Sequence, residues 1–132
     1  MGELTHEIVN LNIKLDRLIQ NISLDGTKQS FTLADRVLFV IASLKVASPT
    51  QITSELGIVK SNLVPIVQRL TSSGLVEVGQ DANDGRAVKY YLTDKGKSAN
   101  NKRIKQVEEG ITLNAKRQKQ ALKLVLALND LI

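Results

Sequence analysis

The apolar residues at the start of the chain form a narrow helical stripe. They recur at alternating steps of four and three, at Leu4, Ile8, Leu11, Leu15, Leu18 and Ile22. A stripe of this width is typical of a helix that faces another helix. We predict a first helix that ends at the Asp25-Gly26 turn signal.

A second stripe runs along the end of the chain. Thr93 is a good cap for a long final helix from Asp94, which Gly110 interrupts. Its apolar face steps by three and four through Ile104, Val107, Ile111, Ala115, Gln118, Leu122 and Val125. An isolated helix with such a narrow apolar stripe, or seam, is marginal in water. We therefore predict that the two seams form the interface of a dimer. The alternative is that they pack on each other within one chain. The predicted dimer interface comprises Leu4, Ile8, Leu11, Leu15, Leu18, Ile104, Val107, Ile111, Leu122 and Val125.

Three further helix signals follow one another between the two stripes. Thr32 with Asp35 resembles a capping box for a mostly apolar, central helix through Val46. Ser48-Pro49-Thr50-Gln51 starts a short helix that Gly57 can end in the left-handed conformation. A third helix is predicted from near Lys60 to Ser73, followed by Gly74.

Two strand signals come next. Leu75 to Val78 and Val88 to Leu92 read as strands, and Gly79 to Arg86 between them is polar and rich in turn residues. This order of elements predicts a fold that is mainly α with a small β-hairpin (α+β), a winged helix-turn-helix with long N- and C-terminal dimerisation helices. We divide the chain into residues 1–30, 31–96 and 97–132 as N-terminal helix, DNA-binding domain and C-terminal helix.

The positive charge of the chain is concentrated in one region. The formal net charge is +5, and residues 57–105 hold nine basic residues against four acidic ones. Such a field favours association with a polyanion, and double-stranded DNA is the expected partner.

Composition excludes several other classes of protein. Cysteine is absent, so there is no disulfide framework or Cys-ligated metal site, and no signal-peptide or membrane-spanning pattern is found. We expect a cytoplasmic protein. His6 has no nucleophile near it in sequence, and the Glu108-Glu109 pair points in two directions on a helix, so no catalytic, cofactor or metal site is predicted.

The third central helix and the hairpin tip carry the candidate DNA contacts. A recognition helix presents its outward side chains to a major groove about 12 Å wide. Side-chain amides pair with adenine edges, and basic side chains contact phosphates. An arginine on a hairpin arm can enter the minor groove. The predicted DNA-binding residues are Lys60, Ser61, Asn62, Val64, Pro65, Gln68, Arg69, Asp84, Arg86 and Lys89.

These residues resemble the MarR-like family of winged-helix transcription regulators over about residues 31–100. The resemblance rests on Leu56-Gly57-Ile58, Lys60-Ser61-Asn62-Leu63, Arg69-Leu70, Gly74-Leu75-Val76, Asp84-Gly85-Arg86 and Leu92-Thr93-Asp94-Lys95-Gly96. The terminal seams are similar to those of small archaeal winged-helix regulators. The family implies a homodimer that reads an inverted repeat, with a recognition helix in each half-site and a wing in each flanking minor groove.

Several positions depart from the family pattern. Val59 replaces a polar cap, and Val64 and Pro65 stand where polar or basic residues are frequent, so we expect reduced base-specific readout. Pro65 lacks a backbone donor, which predicts a helix start near Ser61.

A repressor is therefore the leading hypothesis for function. An architectural DNA-binding protein of low specificity and a protein-interaction module are the alternatives. A small-molecule effector is not supported, since the four aromatic residues are expected in the core or in strands: Phe31, Phe39, Tyr90 and Tyr91.

Overall fold

Six helices and two short hairpins make up the described part of the chain. The computed structural model describes residues 2–20, 23–24, 27–28, 31–80, 85, 87–111 and 113–132. The elements in chain order are α1 (Gly2–Gln20), β1 (Ser23–Leu24), β2 (Thr27–Lys28), α2 (Leu33–Leu44), α3 (Pro49–Leu56), α4 (Lys60–Ser72), β3 (Val76–Gln80), β4 (Val88–Leu92), α5 (Asp94–Gly110) and α6 (Ala115–Leu131). The predicted α+β class with a winged helix-turn-helix is confirmed.

Helix α2 is the centre of the core. Thr32 caps it through a complete capping box, in which Asp35 N–H donates to Thr32 Oγ1 at 3.2 Å and Thr32 N–H donates to Asp35 Oδ2 at 2.8 Å. The helix contacts α3, α4, α5 and β4. It ends at Leu44, two residues before the predicted Val46. The core consists of Val37, Leu38, Val40, Ile41, Ala47, Ile52, Leu63, Ile66, Val67, Leu70, Val76 and Leu92.

The hairpin β3–β4 is antiparallel, with Val76 opposite Leu92 and Gln80 opposite Val88. The first strand begins at Val76 rather than at the predicted Leu75, because Leu75 completes the end of α4: its N–H donates to the carbonyl of Leu70 at 2.9 Å. A bridge that the sequence did not indicate joins the hairpin to the start of α3, since Ala47 and Tyr90 exchange two backbone hydrogen bonds of 2.9 and 2.8 Å.

The end of the chain is two helices rather than the single long helix predicted. Helix α5 ends at Gly110, where the interruption was predicted, and α6 begins after Asn114, whose Oδ1 accepts the N–H of Arg117 at 2.8 Å. The physical reason for the second helix is this new N-cap, because it satisfies a donor at a fresh helix start. None of the described helices is both long and apolar enough to cross a membrane.

Candidate nucleic-acid interface

The turn between α3 and α4 sets the angle at which α4 is presented. Helix α3 begins where predicted, and Ser48 and Gln51 form a capping box at its start, with bonds of 3.1 and 2.8 Å. Gly57 adopts the left-handed conformation (φ 63°, ψ 34°), and the next residue, Ile58, donates its N–H to the carbonyl of Thr53 at 3.1 Å. A side chain at Gly57 would be strained there, so this glycine makes the tight turn possible.

Helix α4 has one buried and one exposed face. Leu63, Ile66, Val67 and Leu70 are buried against the core. At 100° per residue, the centre of the opposite face is the row Ser61, Pro65, Gln68 and Ser72. The exposed side chains include every one that the sequence analysis assigned to this helix: Lys60, Ser61, Asn62, Val64, Pro65, Gln68 and Arg69.

Pro65 lies in the second turn of α4, not in the first turn as its chemistry suggested. The helix starts at Lys60, so residue 65 is well inside it and cannot donate to the carbonyl of Ser61. Both residues are on the exposed face, where water can satisfy that carbonyl, while the buried face on the other side stabilises the helix.

The start of α4 has no side-chain cap. Val59 occupies the N-cap position in an extended conformation, makes no capping hydrogen bond and is 61% exposed. The N–H groups of Asn62 and Leu63 reach back to the carbonyl of Val59 at 3.0 and 3.3 Å. The first amides of the helix therefore face solvent beside Lys60, an arrangement that suits an anionic group such as a phosphate.

The hairpin carries the wing. Its register places Lys89 opposite Gly79, and Lys89 is half-buried. Asp84 and Arg86, which the sequence analysis placed at the wing tip, lie outside the described residues. The described strands of the hairpin end at Gln80 and begin again at Val88.

An open groove separates α4 from the hairpin. It has a volume of about 550 Å³. Val64 and Gln68 of α4 line one side, and Val78 and Tyr90 of the hairpin line the other. Val64, which the sequence analysis placed among the DNA contacts, is therefore on the wing side of α4 and borders this groove.

Three elements meet at the base of the hairpin. Thr93 Oγ1 caps α5 by accepting Gly96 N–H at 3.0 Å and also donates to the carbonyl of Gly74 at 2.6 Å. Lys95 Nζ donates to the carbonyl of Ser73 at 2.9 Å. The end of α4, the hairpin and the start of α5 are thus joined, which fixes the wing relative to α4. The cap on α5 was predicted, whereas the bonds to Ser73 and Gly74 were not.

Two tyrosines follow each other on β4. Burial raises the pKa of Tyr90, which packs against the core. Tyr91 points to the other face, where its hydrogen bond to Glu77, the charge of that carboxylate and partial desolvation raise its pKa.

The two phenylalanines, Phe39 in α2 and Phe31 just before it, are not in the core. Phe39 is exposed, and the ring centroid of Phe31 lies 5.8 Å from the guanidinium carbon of Arg103. The expectation of core or strand positions is therefore wrong for these two.

One of the nine basic residues in the region 57–105 is neutralised by an ion pair within the fold. Arg103 donates to Asp35 Oδ2 and Gln106 Oε1 at 2.9 and 2.8 Å, and its side chain is only 14% exposed. Asp35 lies outside the basic region by sequence, so only the fold brings the two charges together. The field that DNA meets is correspondingly weaker than the sequence count indicates.

The terminal helices leave their apolar faces in solvent. On α1, the described seam residues Leu4, Ile8, Leu11, Leu15 and Leu18 are exposed, and α6 has no buried residue, with Leu122 60% exposed. The alternative in which the two seams cover each other within one chain is therefore wrong. Of the remaining predicted interface residues, Ile104, Val107 and Ile111 are half-buried in their own chain, while Val125 is exposed.

Comparisons with known proteins agree with this architecture. Residues 36–87 match the model of the MarR family. A sequence search of curated proteins gave no significant match.

Solved structures resemble the whole chain in fold. Wild-type MarR from E. coli without ligand has a TM-score of 0.71 at 23% identity, over 97% of this chain and 96% of that one. A cysteine-to-serine mutant of E. coli MarR in complex with operator DNA has a TM-score of 0.64 at 24% identity, over 96% and 93%. Reduced AbfR bound to DNA has a TM-score of 0.60 at 18% identity, over 99% and 92%. Residues 36–87, from α2 to the start of β4, are thus similar to the MarR family, and the whole chain shares its fold with MarR and AbfR.

Proposed function

We propose that the protein is a DNA-binding transcription regulator, a repressor that binds an inverted-repeat site as a homodimer. The observation that carries the proposal is the exposed face of α4, held outward by the Gly57 turn and flanked by the hairpin. Two of the structures with this fold are in complex with DNA. The domain division at residues 30 and 96 remains part of this proposal.

Each candidate residue has a role that follows from its chemistry and place. Lys60, next to the uncapped amides of α4, and Arg69 bind phosphates; Asn62 and Gln68 read base edges; and Ser61 binds either. Val64 and Pro65 contact thymine methyl groups. In the wing, Arg86 enters the minor groove, oriented by Asp84, and Lys89 supports it on the backbone.

Fluorescence anisotropy against the native upstream duplex and a scrambled duplex, repeated over a range of salt concentrations, tests the proposal. Lys60→Ala should weaken binding to both duplexes and reduce the slope of log affinity against log salt by about one. Lys119→Ala is the matched control, since it removes another exposed lysine, on α6, from outside the candidate interface. Equal salt slopes for the two variants would show that Lys60 does not contact a phosphate.

The two arms of the interface are separated by two further variants. Asn62→Ala should change the preference among sequences, while Arg86→Ala should weaken binding to most sequences. Unchanged affinity in Arg86→Ala would remove the wing from the proposal. No binding of either duplex at low salt would refute DNA binding altogether and favour a protein-interaction module.

An architectural protein of low sequence specificity is the second candidate function. The observation that favours it is the central exposed row of α4, where Pro65 has no polar group to offer and Gln68 is the one long amide. Comparable affinity for native and scrambled duplexes at every salt concentration would support this candidate over a repressor.

The homodimer is proposed from the uncovered seams of α1 and α6. Leu11→Glu places a charge in the α1 seam and should yield a monomer at micromolar concentration in multi-angle light scattering. Asn12→Glu adds the same side chain to the same helix outside the seam and should leave the dimer intact. A monomeric parent protein would refute the proposal directly.

A further inference from the structure

The turn that joins α4 to the hairpin is bound from two sides. On one side, its N–H groups point back into α4. The N–H groups of Ser73, Gly74 and Leu75 donate to carbonyls in the last turns of that helix at 2.9, 3.0 and 2.9 Å. These bonds hold the turn against the end of α4.

On the other side, the carbonyls of the same three residues are bound by the start of α5. Lys95 Nζ donates to the carbonyl of Ser73 at 2.9 Å. Thr93 uses two groups: its hydroxyl donates to the carbonyl of Gly74 at 2.6 Å, and its N–H donates to that of Leu75 at 3.1 Å. Two of these three donors belong to side chains, so the junction depends on the residue types at positions 93 and 95.

The direction of the hairpin is set at this junction. Strand β3 begins at Val76, directly after the turn, and β4 ends at Leu92, directly before Thr93. A strand rises about 3.3 Å per residue, so the far end of the hairpin lies about 13 Å from its base. A rotation of about 10° at the base moves that far end by about 2 Å, which is enough to break a hydrogen bond to DNA.

Lys95 has a role within the protein that its charge does not reveal. It is one of the nine basic residues of region 57–105 and is exposed, so by sequence it counts toward the field that attracts DNA. In the structure its ammonium group binds the carbonyl of Ser73, the C-cap of α4. The partial negative charge at the end of a helix favours a cation at this place.

We infer that Thr93 and Lys95 are positioning residues for DNA binding, an inference that rests on the proposed function, and that Lys95 contacts no phosphate. The two side chains hold the hairpin in the direction in which the wing and α4 reach the same duplex together. Without either of them the hairpin takes several directions. The apparent affinity then falls with the fraction of molecules in which the direction is correct.

Fluorescence anisotropy with the native upstream duplex, over a range of salt concentrations, tests the role of Lys95. Lys95→Met keeps the aliphatic stem and should weaken binding about two- to tenfold, the effect of one lost hydrogen bond. The slope of log affinity against log salt should stay that of the parent, whereas a lost phosphate contact would reduce it by about one. Lys102→Met removes an exposed lysine from the same helix and is the matched control. A reduced slope in Lys95→Met, or an affinity equal to that of Lys102→Met, would overturn the inference.

A double-mutant cycle with Arg86→Ala tests whether Lys95 acts through the wing. Lys95→Met should weaken binding in the parent background and have little effect once Arg86→Ala has removed the wing contact. Additive effects of the two substitutions would overturn the inference. A parent protein that binds no duplex refutes the proposed function and the inference with it. If the parent binds and only Arg86→Ala weakens binding, the positioning role alone is wrong.

Two substitutions at Thr93 give an independent test. Thr93→Ser keeps the hydroxyl and should bind the duplex as the parent does. Thr93→Val has a similar volume without the hydroxyl and should bind more weakly at an unchanged salt slope. Circular dichroism shows whether each variant is folded. Parent-like affinity in a folded Thr93→Val, or weak binding by a folded Thr93→Ser, would show that the hydroxyl does not position the hairpin.

Discussion

Gly96 in the first turn of α5 is a position where the fold leaves no room for a side chain. A Cβ placed there would fall well inside contact distance of the carbonyl oxygen of Leu75, and would lie 3.0 Å from its carbonyl carbon and 3.3 Å from Leu92 Cβ. The obstacle is backbone rather than the end of a flexible side chain. We predict that Gly96→Ala is destabilising even though alanine is the better helix former.

The magnitude follows from three contributions. Overpacking a filled site costs about 1–3 kcal/mol. The same Leu75 carbonyl accepts the N–H of Thr93 at 3.1 Å, and displacing it weakens a hydrogen bond worth about 0.5–1.5 kcal/mol. The higher helix propensity of alanine offsets about 1 kcal/mol of this loss. The expected loss in the free energy of unfolding is therefore about 0.5–3.5 kcal/mol.

Gly110 provides the matched control, because it is in the same helix and a Cβ there meets no atom within 4 Å. Gly110→Ala should change stability by about 0 to +1 kcal/mol. Urea unfolding followed by circular dichroism, at one protomer concentration for all three proteins, measures both effects. A Gly96→Ala protein as stable as the parent would refute the close approach of α5 to Leu75.

Further substitutions test other parts of the fold. Gly57→Ala should cost about 1 kcal/mol in urea unfolding, since the αL conformation strains a side chain; an unchanged midpoint would contradict the turn geometry. Asp35→Ala removes the partner of Arg103 and half of a capping box and should cost about 2–4 kcal/mol, whereas Arg103→Met, which keeps an apolar stem, should cost less; equal losses would mean that the cap contributes nothing. The raised pKa of Tyr91 means that folding favours the protonated phenol, so this contribution to stability is present below pH 10 and is lost as the pH rises through the folded-state value. Glu77→Ala should lower that pKa in an ultraviolet titration, and an unchanged titration would exclude the hydrogen bond as its cause.

The parts of the fold that the sequence predicted well are those governed by neighbours a few residues apart. The caps at Thr32, Ser48 and Thr93 join groups three residues apart, and Gly57 ends α3 by its own backbone freedom. Such signals are complete within one turn of helix, so they can be predicted from the sequence without knowledge of the fold.

The features that the sequence did not predict depend on residues far apart in the chain. Arg103 and Asp35 are 68 positions apart, and nothing in the basic pattern of α5 marks one arginine as neutralised. The Ala47–Tyr90 bridge is of the same kind. Asn100 lies in the most polar stretch of the chain, where an exposed side chain is expected, and only the packing of α5 on α2 and β4 buries it.

The exposed face of α4 was predicted in position but not in detail. Helical periodicity gave the exposed side of α4, because the buried residues alone decide which side faces out. The missing N–H of Pro65 favours a place in the first turn, but the residue lies in the second turn. Burial of the opposite face of α4 stabilises the helix in spite of the lost hydrogen bond.

The ion pair between Arg103 and Asp35 also has a geometric consequence for a dimer built on α1 and α6. Helix α5 connects the dimerising end of each protomer to the winged helix, and this pair, buried against Phe31, sets the direction of α5 relative to α2. In such a dimer the distance between the two α4 helices depends on that direction. Half-sites lie about 34 Å apart along DNA, so a small rotation of α5 brings both helices into register with the major groove or takes both of them out of it.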